Sequence, residues 1–249
     1  MRHVSDPEYS SFLDVCRDST PAQSVVDAVL QERSISFDAA TTTASETKPI
    51  LCSHRRDAEL CNQIVMQRLF PASIVEVPLT GTASTDPRLA EWCKERHFHE
   101  LPCVAVGCKV MLNENLDIEK GAVNGATATV LSLHSHRNEL HKILVRFDHN
   151  GQEYAITRTR FKTYVLDRQR FFKRAFPLTL AYAFTVHKAQ GATLPGGAIL
   201  YIREAFTPGL TYVALSRVTN RSNLHIIGTL SAADIVPVDC AWFQDNVIH

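Results

Sequence analysis

The feature that most constrains the fold is an apolar stretch that runs directly into a polar segment. Residues 178–184 have the composition of a buried strand. The polar residues that follow it are Thr185, His187, Lys188, Gln190 and Gly191. At the carboxyl edge of a parallel sheet, a segment in this position is where α/β proteins bind their ligands. The side chains suit phosphate oxygens and the glycine allows close backbone approach, although a solvated loop with a helix-capping threonine is the alternative.

Strand-like and helix-like segments alternate on both sides of a β-rich stretch. Apolar strands are predicted at 50–53, 198–202 and 224–227. Helices are predicted over 54–69 and from Thr207–Pro208 onward. Strands that alternate with helices imply a mainly parallel sheet, so the predicted fold class is α/β.

The N-terminal third contains two helix-start signals and a polar tract. Asp6–Pro7 and Thr20–Pro21 each combine a capping residue with a proline suited to the first helical turn. Residues 34–48 are rich in Ser, Thr and Ala and are predicted to form a loop. A strand is predicted at 73–78, and a short helix at about 89–95.

The middle of the chain predicts a small all-β unit. Short strands are expected at 104–112, 126–133, 142–147 and 154–159, with turn residues such as Asn124–Gly125 between them. Closely spaced short strands of this kind are typical of a small barrel or meander.

Net charge is zero, with 26 basic and 26 acidic residues, so any attraction to nucleic acid must come from local patches. Residues 137–174 contain ten Arg or Lys against four Asp or Glu. The aromatic residues interleaved with them are Phe161, Tyr164, Phe171 and Phe172. This mixture suits single-stranded nucleic acid, and a solvated basic face with the aromatic rings in the core is the alternative. The candidate contacts, which alternate along one strand face, are Arg158, Arg160 and Lys162.

The cysteines favour reduced, buried thiols in an intracellular protein. There are seven, an odd number, and none has Cys-x-x-Cys spacing, so neither a disulfide framework nor a metal site is expected. No apolar run approaches the roughly 20 residues that span a bilayer, and the first residues do not form a signal peptide.

Four segments together carry a family resemblance: 50–69, 107–125, 180–194 and 211–218. In this order they resemble the C-terminal half of the PIF-type helicases, relatives of RecD in helicase superfamily one, and are also similar to Helitron transposon helicases. The resemblance implies a RecA-like parallel-sheet motor domain interrupted by a small all-β barrel insert. The domain limits expected from it are a helical lead-in over 1–48, the second motor domain over 49–112 and 177–239, the barrel over 113–176, and a tail over 240–249.

The resemblance also implies roles for individual residues. Single-stranded DNA contacts are implied for Thr185, His187, Lys188 and Asn124, beside the basic residues named above. Nucleotide contacts are implied for Gln190, Gly191, Tyr212, Ser216 and Arg217. Gln190 and Arg217 are the implied catalytic pair, with Arg217 as an arginine finger against the γ-phosphate of ATP. Arg217 lies on an apolar stripe of its predicted helix, and an exposed arginine near the helix C-terminus is the alternative.

The nucleotide-cradling part of such a motor is missing from these 249 residues. The sequence contains no Gly-x-x-x-x-Gly-Lys-Ser/Thr segment and no acidic pair that closes an apolar strand. ATP and Mg²⁺ are therefore expected only in a complete enzyme with an N-terminal ATPase domain, and neither is expected on this chain alone. The family implies 5′-to-3′ unwinding, roles in DNA repair, recombination and telomere maintenance, a nuclear or mitochondrial location, and no membrane partner. The alternative is a non-enzymatic single-stranded nucleic-acid-binding module or a truncated transposon-derived relic.

Overall fold

A computed structural model describes residues 6–30, 32–46, 48–78, 80–81, 101–137, 139–160, 164–166, 169–171, 173–190, 194, 196–203 and 207–237. The chain divides into two units, residues 1–65 with 182–249 and residues 66–181. The helix predicted at about 89–95 and the predicted tail 240–249 lie outside the described residues.

The helices and strands are numbered in chain order. The helices are α1 (Pro7–Asp18), α2 (Gln23–Leu30), α3 (Phe37–Glu46), α4 (Arg55–Leu69) and α5 (Leu210–Leu215). The first strands are β1 (Ser34–Ile35), β2 (Ile50–Cys52), β3 (Val75–Glu76), β4 (Thr80–Gly81), β5 (Cys103–Val104), β6 (Lys109–Leu112), β7 (Thr127–His136), β8 (Glu139–Phe147) and β9 (Glu153–Thr157). The remaining strands are β10 (Thr159–Arg160), β11 (Tyr164–Leu166), β12 (Gln169–Phe171), β13 (Lys173–Ala175), β14 (Leu178–Leu180), β15 (Ala183–Thr185), β16 (Ala198–Tyr201) and β17 (Leu224–Ile227).

The first unit is built on a five-stranded parallel sheet in the order β1-β17-β16-β2-β15. Strand β2 is fully buried, with Ile50, Leu51 and Cys52 each 0% exposed. A near-continuous apolar strand is what a parallel sheet covered on both faces requires. The predicted parallel α/β sheet is therefore confirmed.

Helix α1 starts where the sequence predicts. Asp6 precedes it, and its Oδ1 accepts a hydrogen bond from Tyr9 N at 3.1 Å, with Pro7 in the first turn. Helix α2 instead begins at Gln23, after Thr20–Pro21. The Thr20 hydroxyl donates to Ile235 O at 3.0 Å, which ties this residue to a distant part of the chain.

The loop predicted at 34–48 is wrong, because this tract contains strand β1 and helix α3. Thr42 and Thr43 donate to the carbonyls four residues earlier, at 3.0 Å and 2.9 Å. These bonds satisfy the hydroxyls inside a helix, while β1 is held by its pairing with β17. A composition rich in Ser and Thr therefore indicated a loop where tertiary packing stabilises a helix.

The single strand predicted at 178–184 is divided into two. Strand β14 pairs antiparallel with β6, whereas β15 pairs parallel with β2. The interruption falls at Ala181–Tyr182. Apolar composition alone cannot reveal such a change of sheet, because both halves are equally suited to burial.

The second unit contains a five-stranded antiparallel sheet in the order β14-β6-β7-β8-β9. The segment predicted as the insert, 113–176, lies within this unit together with residues 66–112 and 177–181. Before β7 comes the predicted turn at Asn124–Gly125, where Gly125 has φ +87° and its N–H donates to Leu112 O at 2.8 Å. Closure of the strands into a barrel stays a prediction.

The described residues contain neither disulfide bonds nor helices that could span a membrane. Five cysteines fall within them, and all five are free thiols. None of the described helices combines the length and the apolar character needed to cross a membrane.

Candidate functional site

The carboxyl edge of the parallel sheet brings together the segments that follow β2, β15 and β16. Ser53 comes directly after β2 and is 2% exposed. Its hydroxyl donates to Arg203 O at 2.7 Å and accepts from Arg203 N at 3.1 Å, which ties the end of β2 to the segment after β16. Ser53 N also donates to Tyr201 O at 3.3 Å. These bonds hold two strand ends in fixed register at the edge where a ligand is expected.

The polar loop, residues 185–190, leaves β15 at the same edge. Its first turn is anchored to β2, because Val186 N donates to Cys52 O at 3.0 Å. Thr185 Oγ1 accepts from Lys188 N at 3.4 Å, so the threonine caps the turn, as in the structural alternative considered above. His187 and Gln190 are exposed. The loop therefore has an anchored base and exposed polar side chains.

Lys188 lies half-buried in this loop, close to Arg55 in the first turn of α4. Burial, and after it the charge of Arg55, lowers the pKa of Lys188 to about 8. Arg55 Nε pairs with Glu59 Oε1 at 2.7 Å, an i,i+4 contact on α4. Two cations near a helix N-terminus create a local positive potential that an anionic ligand would complement.

Asn62 holds the strand from which the polar loop emerges. This side chain of α4 is 8% exposed. Its Oδ1 accepts from Tyr182 N at 3.1 Å and from Ala183 N at 2.9 Å, while its Nδ2 donates to Ala183 O at 2.7 Å. Helix α4 thus fixes the start of β15 by three bonds from a single side chain.

Arg217 is 8% exposed and follows the short helix α5. Its Nε donates to Val213 O at 2.8 Å, and its Nη2 donates to Ser216 Oγ at 2.7 Å. Burial distinguishes it from the exposed helix-terminal arginine of the alternative. Ser216 contacts the guanidinium directly, while Tyr212 is half-buried on the preceding turn and its carbonyl accepts from Ser216 N at 2.9 Å.

Helix α5 begins at Leu210, three residues later than predicted from Thr207. Gly209 precedes it with φ +77°, a conformation that suits glycine. The hydroxyl of Tyr9, which is 0% exposed, donates to Leu215 O at 2.9 Å. Leu194 N donates to Arg217 O at 2.9 Å. The backbone around Arg217 is therefore fixed both by α1 and by the segment that follows the polar loop.

The other predicted DNA contacts belong to the second unit. Asn124 is exposed, and its N–H donates to Asn115 Oδ1 at 2.7 Å. Arg158 donates through Nη1 to Pro78 O at 2.8 Å, and its guanidinium lies 4.8 Å from the centroid of the Phe176 ring. Contacts within the unit thus engage Arg158.

The strand predicted at 154–159 is interrupted at Arg158, because β9 ends at Thr157 and β10 begins at Thr159. Arg158 lies at this break, whereas Arg160 stands opposite Arg174 in the β10–β13 ladder. Lys162 and Gly191, also predicted as site residues, fall outside the described residues. The predicted contact face therefore does not follow one continuous strand.

Sequence reasoning did not single out Ser53, Arg55, Asn62 or Arg203 for the site. A usable signal existed for Ser53, Arg55 and Arg203, since these residues closely follow strands β2 and β16, whose ends meet at one sheet edge. Asn62 lies in mid-helix and carries no such signal. In the described part of the chain, no cluster of three or more His, Cys, Asp or Glu residues is arranged to hold a metal ion.

The chain is similar in sequence to known DNA helicases. No family model matches the chain. ATP-dependent DNA helicase PIF1 of Danio rerio is 28% identical over 228 residues, which are 91% of this chain and 34% of that protein. The Pif1 helicase of Bdellovibrio bacteriovorus is 37% identical over 164 residues, 65% of this chain and 36% of that protein. For human PIF1 the values are 31% over 178 residues, 71% of this chain and 26% of that protein. The chain thus spans about a third of the length of these relatives.

Solved structures show the same fold. Bacteroides Pif1 bound to single-stranded DNA matches with a TM-score of 0.74 at 23% identity, covering 98% of this chain and 54% of that one. Candida albicans Pif1 matches with a TM-score of 0.77 at 17% identity, covering 99% of this chain and 59% of that one. The parallel sheet with its polar loop and buried arginine is thus an α/β domain of the class found in DNA helicases. Within that class the chain belongs to the PIF-type helicases, of which it spans a part.

Proposed function

We propose that the chain is the C-terminal motor part of an ATP-dependent DNA helicase and that the carboxyl edge of its parallel sheet binds single-stranded DNA. The observation that carries this proposal is the half-buried Lys188, with Arg55 near it, in a polar loop that is anchored to β2 at the carboxyl edge of the sheet. Burial and the neighbouring charge of Arg55 lower the pKa of Lys188 to about 8, so a DNA phosphate beside this lysine would stabilise its protonated form.

The proposed DNA contacts divide by chemistry. Lys188 and Arg55 attract a phosphate, and the exposed His187 offers a further polar contact to the backbone. Thr185 acts mainly as the cap that shapes the turn, since its hydroxyl already accepts from Lys188 N. Such contacts position a strand and carry no base preference, which suits a motor that moves along any sequence. Asn124, Arg158, Arg160 and Lys162 are further proposed contacts on the second unit.

Arg217 is the proposed arginine finger. To reach a γ-phosphate, its guanidinium would exchange its bonds to Val213 O and Ser216 Oγ for phosphate oxygens. Charge neutralisation by such a finger contributes about 10³ to 10⁵ in rate. Gln190 at the end of the polar loop, with Gly191 next to it in the sequence, would sense the nucleotide, while Ser216 and Tyr212 would orient the arginine.

The bond from Leu194 N to Arg217 O supports coupling between these two functions. The bond joins Leu194, which follows the polar loop in the chain, to Arg217, the residue proposed to contact ATP. Movement of one would displace the other, because both depend on the same short stretch of backbone. This connection is the proposed route by which nucleotide state alters the grip on DNA.

The remaining catalytic parts would come from an ATPase domain outside these 249 residues. ATP and Mg²⁺ would bind with that domain, because neither a phosphate-binding loop nor a magnesium-holding acidic pair is found in this sequence. Unwinding in the 5′-to-3′ direction and roles in repair, recombination and telomere maintenance in the nucleus or mitochondrion belong to this proposal through kinship alone. The likeness to Helitron helicases also stays a prediction.

Salt-dependent binding to single-stranded DNA tests the proposal. We expect Lys188→Ala to weaken binding and to lower the salt slope by about one unit at most. Arg217→Ala should bind DNA nearly as wild type, because its proposed partner is ATP. Arg17→Ala is a matched control, since Arg17 is exposed, paired with Asp14 and Asp18, and outside the basic stretch 137–174. Equal losses in the Lys188 and Arg217 variants would contradict the assigned roles.

The non-enzymatic binding module makes a different prediction for Arg217. In a longer protein that contains the ATPase domain, Arg217→Ala should reduce DNA-stimulated ATP hydrolysis by about 10³-fold or more under the helicase proposal. A binding module would show no hydrolysis that depends on this residue. Phosphate release from wild type and variant at saturating DNA distinguishes the two functions.

A further inference from the structure

A second group of basic side chains lies at the amino-terminal end of the parallel sheet. Arg33 precedes β1, Lys48 precedes β2, and His225 is the second residue of β17. Lys48 Nζ lies 3.2 Å from His225 Nε2. Ile226 N donates to Arg33 O at 2.8 Å, which brings the Arg33 backbone beside β17. Three elements far apart in sequence therefore converge their basic residues.

No acidic side chain whose position the structure describes, a set that excludes Glu46, pairs with Arg33 or Lys48. The ion pairs in the described ranges leave these two basic residues out. They join carboxylates to Arg17, Arg55, Arg56, Lys109, Lys120, Arg146 and Arg221. Arg33 Nε is shielded from solvent, and the part of the chain that the structure describes gives it no hydrogen-bond acceptor. A donor in this situation is costly unless a ligand or water accepts from it.

The electrostatic consequences appear at the two neighbours of Arg33. Burial, and then the charge of Arg33, lowers the pKa of Lys48. Burial lowers the pKa of His225 as well, followed by the charges of Lys48 and Arg33. The three groups thus disfavour one another's charged forms, which a bound anion would reverse.

We propose that Arg33, Lys48 and His225 form a binding site for a phosphate group. The guanidinium offers a planar fork of donors, the ammonium a compact charge, and the imidazole a second donor once it is protonated. A charged Lys48 donates to His225 Nε2, and the imidazole would give up this contact and take up a proton when phosphate binds. The chemistry is that of a phosphate from either of two sources, free inorganic phosphate or the backbone of a nucleic acid.

This site is separate from the polar loop. The strands run parallel from the end that carries Arg33 and Lys48 to the end that carries Ser53 and the loop. Strand β2 has three residues, each of which advances the chain by about 3.3 Å, so the two ends are on the order of 10 Å apart. A phosphate at the amino-terminal end would be an additional contact. If no phosphate binds there, the proposal for the polar loop is unaffected.

Phosphate titration followed at the His225 imidazole by NMR tests the site in the whole chain. We expect saturable binding with a dissociation constant on the order of 1 mM and a rise in the pKa of His225. Arg33→Gln and Lys48→Gln should each weaken binding about tenfold or more. Arg17→Gln, an exposed arginine of the same unit paired with Asp14 and Asp18, should bind phosphate as wild type.

Two further measurements show whether the variants are folded and which source supplies the phosphate group. Phosphate should raise the thermal midpoint of wild type and of Arg17→Gln and leave that of Arg33→Gln unchanged. A short oligothymidylate that shifts the same His225 resonance and competes with phosphate would identify nucleic acid, and failure to compete would identify free phosphate. The C-terminal carbonyls of α3, which ends at Glu46, also attract cations. If they alone explain the cluster, phosphate leaves His225 unchanged, and that result overturns the proposal.

Discussion

At the scale of single residues, Lys188 shows how burial can bring the pKa of a lysine close to physiological pH. An exposed lysine stays charged throughout the physiological range, but half-burial beside Arg55 lowers the pKa of this one to about 8. A DNA phosphate at the proposed contact would stabilise the protonated form, which would link binding to protonation. The Arg217 side chain is likewise held by its surroundings, because it donates to Val213 O and to Ser216 Oγ.

The pKa of Lys188 predicts a pH dependence of DNA binding. If the charged lysine is the proposed phosphate contact, affinity for single-stranded DNA should fall as pH rises above about 8, where free Lys188 loses its proton. Lys188→Gln should lack this step. Fluorescence anisotropy at constant ionic strength measures the effect. Lys120→Gln, which removes an exposed lysine paired with Asp117, should retain it, and a wild-type affinity that is flat from pH 7 to 9 would show that Lys188 does not carry the contact.

At the scale of elements, helices α1 and α4 hold the functional segments in place. Asn62 of α4 satisfies two backbone N–H groups and one carbonyl at the start of β15, and Tyr9 of α1 donates to the last carbonyl of α5. Neither residue belongs to the polar loop or is Arg217 itself. Both residues act through hydrogen bonds that hold the neighbouring backbone in one conformation.

Removing the Asn62 amide should therefore destabilise the first unit. In Asn62→Leu the N–H groups of Tyr182 and Ala183 lose their acceptor, at a cost of about 1–3 kcal/mol for each buried group left unsatisfied. Gln63→Leu is the matched control, because Gln63 is the exposed neighbour on the same helix. Urea unfolding of the two variants measures the difference in the free energy of unfolding. Equal stabilities would mean that the three hydrogen bonds contribute nothing net.

At the scale of the whole molecule, the parallel sheet offers two chemically different ends. Its carboxyl end carries the anchored loop, with Ser53 and Arg203 holding the adjacent strand ends together. Its amino end carries the basic group of Arg33, Lys48 and His225. The second unit contributes an antiparallel sheet with its own basic residues. A protein with zero net charge can thus concentrate positive potential locally.

The purified chain should bind single-stranded DNA without hydrolysing ATP. Stabilisation of a γ-phosphate by Arg217 has no effect unless a phosphate-binding loop and a metal ion hold the nucleotide, and the 249 residues include no such loop. Phosphate release measured with and without DNA checks this expectation. Robust DNA-stimulated hydrolysis by wild type that Arg217→Ala abolishes would contradict it, because the chain would then hold a complete active site.

Local patterns in the order of residues were enough to predict much of this molecule. Alternation of strands and helices predicted the parallel sheet, Asp6–Pro7 the start of α1, and Asn124–Gly125 the turn before β7. The change from apolar to polar residues marked the loop after β15. These features depend on propensities and hydrogen bonds between close neighbours in the chain, which a single sequence displays directly.

Other features exist only because distant segments meet. The division of 178–184 between two sheets, the helix in the Ser- and Thr-rich tract, and the contact of Lys48 with His225 leave no local signal. The side chain of Asn62 bonds to Tyr182 and Ala183, which are 120 and 121 positions further along the chain. Ser53 bonds to Arg203, which is 150 positions away. Such bonds form where burial removes competing water and packing selects the partner, so tertiary structure decided them.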